Sequence, residues 1–414
     1  MSFSRFWLGL AAASAALTVG AAGAESTSRS LGLPWAGSLV GGVQLAAEGE
    51  HFFTWDNVQR RSPNRGWRRY GSERLIRTTL RALAEYAAAH PKAPRVGIGD
   101  LSRRSGGDFG ARYGGLGHAS HQNGLDIDFY YPRRDRRERP PRAPRQIDRR
   151  LAQALVDGFV AAGAAKVFVG PNTRLKGPPA VVEILPAHHD NHMHVRFPGD
   201  GVSSEPIGES TRGQSIRAFT LGSGRPRILV VGSVHGNEPA GTVVATRLLH
   251  ARPPRRGSIT VVQDLNPDGH AAKRRWNARG VDLNRNFPGT WRPIATAGEA
   301  AASEQETRLA MQLILRVRPE LTIWFHQPQG LVRASGPSVT IARRYARLAG
   351  MRFARLAWPP GSATAWQHGA LPASRAFVVE LAPGELGIRE AGTYASAVVQ
   401  LTRAARAARG TPRS

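Results

Sequence analysis

Residues 228–241 read ILVVGSVHGNEPAG. The first four form a continuous apolar run, the pattern of a strand buried on both faces of a parallel sheet. Gly232 and Ser233 break the run, and a helical pattern follows at 240–249. Between them stand His235 and Glu238, three residues apart on the turn from a strand end into a helix. Ligands collect at that end of a parallel sheet. Further apolar runs stand at 259–262, 321–325 and 377–379, with another helical pattern at 304–316. Buried strands alternating with helices predict an α/β domain with a mixed, largely parallel sheet from about 216 to 405.

The other strand ends add chemistry. His326 closes the run LTIWF and is placed to enter the same crevice as His235 and Glu238. Two histidines and one glutamate make a catalytic zinc set with a position left for water. Glu380 ends AFVVE, where a carboxylate suits a general base. Residues 266–289 read NPDGHAAKRRWNARGVDLNRNFPG, with Arg275, Asn284 and Arg285 as their informative polar members. A guanidinium fork holds a carboxylate in bidentate fashion, and a second can stabilise an oxyanion.

Upstream, residues 35–198 mix helices with short strands. Ser72 is a candidate cap for a helix with Ile76, Leu80, Leu83 and Ala87 on one face. A second helix is predicted over 147–162, and short strands at 166–170 and 181–185. This half reads as α+β with a small antiparallel sheet. Residues 25–34 read as a loose leader. The Gly-, Ser- and Pro-rich stretch 199–215 reads as a linker.

This half has its own polar constellation. Residues 117–128 read GHASHQNGLDID and residues 188–194 read HHDNHMH. Gly124 lets the chain turn, and a strand at 125–129 would put Asp126 and Asp128 on one face. His192 and His194 share a face by the same period of two. Two imidazoles and a carboxylate are again a three-ligand zinc set, which leaves His189 and His192 to move a proton or polarise a carbonyl. Asp126 alone also suits an ion pair with an arginine.

Composition bounds the rest. The 414 residues suggest two or three domains, and 41% apolar residues supply real cores. Cysteine is absent, so disulfides, thiolate ligands and a thiol nucleophile are excluded. Net charge is +27, carried almost wholly by arginine. That favours an anionic partner, here an anionic cell-wall surface, with no motif for specific nucleic-acid binding. Arg5, the apolar run 6–19 and Ala22-Gly23-Ala24 read as a secretory signal peptide over residues 1–24. No later run is long enough to span a membrane, so a periplasmic or cell-wall location is expected.

GHASHQNGLDID together with HxxHxH resembles the penicillin-insensitive murein endopeptidases, over roughly 35–198. The resemblance implies zinc on His121, Asp128 and His194. It makes His189 and His192 the catalytic histidines and His118 an auxiliary ligand or substrate contact. HGNE and ARGVDLNRNFP resemble the zinc carboxypeptidases, and among them the murein peptide amidases, from about 216 to 405. That likeness implies zinc on His235, Glu238 and His326, Glu380 as general base and Arg275 as carbonyl polariser. Asn284 and Arg285 would grip a terminal carboxylate. The tyrosine such enzymes bring over the substrate has no counterpart here, and Trp358 or Trp366 is the expected substitute.

Both likenesses imply one zinc per domain. The expected substrates are cross-linked peptidoglycan stem peptides for the first module and released muropeptides for the second. Two alternatives stand beside this reading. One is an active second domain with a first module that only binds the wall. The other is a basic, non-enzymatic polyanion-binding protein.

Overall fold

The computed structural model describes residues 28–110 and 117–404, with side chains to 402. The expected signal peptide lies outside the described residues. None of the described helices is long and apolar enough to cross a membrane.

The C-terminal half is built on an eight-stranded sheet. Its order is Val202–Glu209, Ser215–Ser223, Gly257–Val262, Arg227–Val231, Leu321–His326, Arg375–Glu380, Leu331–Ala334 and Arg352–Arg355. The four strands from Gly257–Val262 to Arg375–Glu380 run parallel. The outer strands introduce antiparallel pairs on both sides. Helices cover both faces, as buried parallel strands require. Ala240–Leu249, Val339–Ala349 and Ile388–Ala404 pack on one face through Val244, Leu248, Tyr345 and Val398. Gln305–Val317 and Ala363–Ala370 pack on the other through Leu313, Ile314 and Trp366.

The expected linker is corrected. Residues 202–209 form an edge strand paired antiparallel with Ser215–Ser223. Its polar sequence hides it, because an edge strand has one row of backbone groups and much of its surface in solvent. Pro206 is tolerated there beside a register shift. The expected loose leader is corrected too, since Arg29–Leu33 pairs with Ala36–Val40.

The N-terminal sheet has seven strands rather than few, and it is mixed rather than antiparallel. Its order is Val182–Ile184, Lys166–Val169, His192–Arg196, Asp126–Tyr130, Val96–Ile98, Phe52–Thr54 and Glu48–Gly49. Lys166–Val169 and Val182–Ile184 fall where the sequence predicts strands, whereas Phe52–Thr54 and Glu48–Gly49 at the other margin are too short to leave a periodic signal. Helices Glu73–Ala89 and Arg149–Ala161 cover one face and close a core around Leu83, Phe129, Phe159 and Val195. Leu80 departs from the expected face and is 41% exposed, while Thr79 and Tyr86 are buried in its stead.

Ser72 caps the first helix as its sequence position predicts, accepting the Leu75 N–H at 3.1 Å. Losing such a cap costs about 1 kcal/mol. Ser72→Ala should therefore lower the urea midpoint of the N-terminal half without altering the slope. An unchanged midpoint would show that the cap is dispensable.

Candidate metal centres

In the N-terminal half, Asp126–Tyr130 pairs antiparallel with His192–Arg196. The register sets His194 opposite Asp128 and Arg196 opposite Asp126. Directly opposed residues share a face, so the two-residue period gathers Asp126, Asp128, His192, His194 and Arg196 on one side. His121 arrives from the preceding loop with φ at 65°, a strained value for a non-glycine residue. Gly124 completes the turn at φ +72°, where a Cβ would lie 2.7 Å from the Leu39 side chain.

The His121 ring is fixed by its partners. Nδ1 faces the Leu101 carbonyl, which can only accept, so Nδ1 carries the proton. Nε2 lies 3.4 Å from Asp128 Oδ1. Both atoms are buried without a hydrogen-bond partner. His194 Nδ1 lies 3.5 Å from the same oxygen, and its ring centroid lies 4.6 Å from that of His121. His118, His121 and Asp128 place one donor atom each within 4.8 Å of one another. The structure thus gathers His118, His121 and His194 around Asp128. Its tightest triple includes His118, which the sequence reading placed as auxiliary. Buried, orphaned nitrogen and oxygen donors of this kind fit a divalent cation.

The surroundings set the charges. Burial disfavours ionised Asp128, but His121 and its neighbours hold the carboxyl far below the usual range. Burial pushes His189, His192 and His194 down to about 4, so they are neutral at pH 7. His189 and His192 lie together, ring centroids 5.0 Å apart. Asp126 is taken by Arg196, whose Nε donates to Oδ1 at 2.7 Å. Asp100 was not singled out from the sequence. It accepts from buried Arg68 at 2.7 Å and lies 2.8 Å from His118 Nε2.

In the C-terminal half, three strand ends meet. His235 and Glu238 follow Arg227–Val231, His326 closes its strand, and Glu380 closes the next, in register with His326. Gly236 allows this turn, since a Cβ there would sit 2.0 Å from the Gly269 carbonyl carbon. Glu238 Oε2 lies 2.9 Å from the Nδ1 atoms of both His235 and His326, and those nitrogens are 3.1 Å apart. His235, Glu238 and His326 are buried and offer three donor atoms close enough together to hold a cation.

Asp282 grips the other His235 nitrogen, Nε2, at 3.0 Å. A carboxylate in this place would orient His235 as a metal ligand. Arg275 donates to Glu238 at 2.7 Å and to Asp282 at 2.9 Å. Asp282 stands inside the quoted motif but carried no assigned role in the sequence reading. Asp282→Asn should weaken metal binding at this centre by roughly 10–100-fold, measurable by chelator competition. Unchanged affinity would make Asp282 a packing residue.

These groups open onto a cavity of about 190 Å³ whose wall includes Asn284, Arg285, Arg333 and Trp358. Asn284 Oδ1 accepts from Ala363 N at 3.0 Å, and Arg285 donates to the Asn284 carbonyl at 2.8 Å. Glu380 Oε2 is buried without a partner. Burial, then the charge of Glu238, pushes the Glu380 carboxyl up to about 7. Trp358 lines this cavity with the Arg333 guanidinium 5.6 Å from its ring. Trp366 does not reach it, being buried against Phe287. Tyr345 and Tyr394 are buried in the core.

Residues 30–160 match the family model of penicillin-insensitive murein endopeptidase, and residues 198–333 match that of zinc carboxypeptidase. The chain therefore carries one region similar to the murein endopeptidases and one similar to the zinc carboxypeptidases, and it spans less than two thirds of the curated amidases it matches. Among individual relatives, it is 32% identical over 143 residues to murein peptide amidase A of Escherichia coli (strain K12). That match takes in 30% of this chain and 59% of the relative's length. Murein peptide amidase A of Vibrio campbellii is 28% identical over 26% of this chain and 50% of its own. The solved murein-tripeptide amidase MpaA of Escherichia coli O157 is 26% identical, with a TM-score of 0.41, over 51% of this chain and 94% of that one.

Proposed function

We propose that this chain is a zinc-dependent peptidoglycan peptidase with two hydrolytic centres, acting in the periplasm or cell-wall space. The observation that carries this reading is the convergence of His235, Glu238 and His326 on one point beside Glu380, whose buried Oε2 has no hydrogen-bond partner. A zinc ion held there supplies an acidified water and a Lewis acid for the scissile carbonyl. Glu380 accepts the proton of the attacking water and hands it to the leaving amine. Arg275 donates to the carbonyl oxygen as it gains charge. Asn284 and Arg285 hold the terminal carboxylate of a released muropeptide.

In the first region, His118, His121, Asp128 and His194 supply the ligands. Neutral His189 and His192 move the proton, the role Glu380 has in the second. The stem peptide of cross-linked peptidoglycan is its substrate.

Digestion of purified sacculi by wild type, His121→Ala and His235→Ala tests both assignments, with products read by mass spectrometry. Each variant should lose one class of product and keep the other. If His121→Ala leaves cross-link cleavage intact, the first region only binds the wall. If neither variant changes the products, the hydrolase reading fails and a polyanion-binding protein takes its place.

The second centre should also show an acid limb. Ionised Glu380 is the working base, so kcat/KM for a muropeptide should rise with pH between the ordinary glutamate range and about 7. A profile flat from pH 4 to 8 would remove Glu380 from the proton path.

A further inference from the structure

A second, larger concavity belongs to neither metal centre. It is a cleft of about 1860 Å³ between the two halves, bordered by Leu31 and Leu125 of the first and by 247–256 and 392–402 of the second. Arginines dominate its polar wall. Arg225 is paired with Glu320, and Arg247 lies 5.9 Å from the Trp35 ring. Arg29, Arg252, Arg255 and Arg256 are exposed, and among the described residues no carboxylate pairs with them. Among the described residues Asp200 is the one acidic residue in the lining, and it accepts the Ser30 N–H.

The three second-half arginines stand on the connection Ala251–Gly257, which reads ARPPRRG. Pro253 and Pro254 fix their own φ angles and restrict the residues before them. The backbone from Arg252 to Pro254 is therefore restricted, which leaves less ordering entropy to lose on binding. Ala395 and Val399 add an apolar wall to the cleft. The flanking segments do not complement it in charge. Residues 405–414 contain Arg406, Arg409 and Arg413 and no acid, and residues 1–27 balance Arg5 against Glu25.

We propose that this cleft docks a carboxylate-bearing peptidoglycan strand, holding the polymer while the metal centres work on its peptides. The proposal rests on the peptidoglycan reading above. Carboxylates along a flexible chain match separated guanidinium forks, and methyl-rich segments match the apolar wall. A concave cleft admits a single strand, whereas a bilayer presents a flat face.

The test is retention of the full-length protein on purified sacculi, scored separately from hydrolysis. Arg252→Ala/Arg255→Ala/Arg256→Ala should bind about tenfold more weakly or worse, with a shallower salt dependence. Replacing the same three with lysine should restore the salt dependence and only part of the binding, which separates lost charge from lost folding and from the lost bidentate fork. Amidating the sacculus carboxylates should weaken wild type and leave the alanine variant little changed. A His121→Ala/His235→Ala protein should still be retained, so failure of the hydrolase reading and failure of this one are distinguishable. Undiminished retention of the alanine variant, or wild-type binding indifferent to amidation, overturns the proposal. So does a selective loss on phosphatidylglycerol vesicles or duplex DNA with sacculus binding kept, which would assign the cleft to lipid or nucleic acid.

Discussion

Glu380→Gln should lower muropeptide hydrolysis by the second centre by roughly 10²–10⁴-fold while leaving metal content intact. The amide keeps the shape of the side chain and removes only its capacity to take a proton. Glu380 Oε2 is buried and unpartnered, and the carboxyl is pushed up to about 7. The folded state thus binds this proton more tightly than the unfolded chain does. Stability from this group falls as pH rises from the ordinary glutamate range towards 7, and the ionised form needed for catalysis is the costly one. The same substitution should therefore raise Tm at pH 8 while it inactivates, a trade between stability and activity common at active sites. Calorimetry and a turnover assay on one preparation read both effects. A variant that is inactive and also less stable would indicate collapse of the site rather than loss of a base.

Asp128→Ala should have the second large effect. Its Oδ1 is the meeting point of His121 and His194, and His118 lies 3.9 Å from its other oxygen. Removing it takes away the carboxylate that lies against all three imidazoles. Metal affinity at the first centre should fall by more than the roughly 10–100-fold that an outer partner is worth. Cross-link cleavage should vanish while muropeptide trimming continues. Chelator competition and muropeptide profiles measure the two. Retained cross-link cleavage would move the first centre elsewhere.

Much of this was legible in the sequence, for physical reasons. Runs such as ILVV and LTIWF are apolar throughout because both faces of the central strands are covered, and they mark the parallel strands directly. The candidate ligand histidines declare themselves by position, at strand ends or at two-residue spacing, where packing alone does not call for imidazole. What stayed hidden depends on long-range pairing. The strand at 202–209 is polar because it is an edge, so its composition imitates a linker. Asp100 and Asp282 act by gripping a histidine brought near only by the fold, 18 and 47 residues away in the chain. Leu80 shows the limit of periodicity, since a helical repeat fixes a face to within a residue or so and Tyr86 took the covered place.

Metal analysis of the purified full-length chain tests the central claim most directly. After dialysis against metal-free buffer, wild type should retain about two zinc ions per chain, one at each centre. Asp128→Ala and His235→Ala should each retain about one, and the double variant none. Wild type holding less than one equivalent, or variants holding as much as wild type, would contradict it.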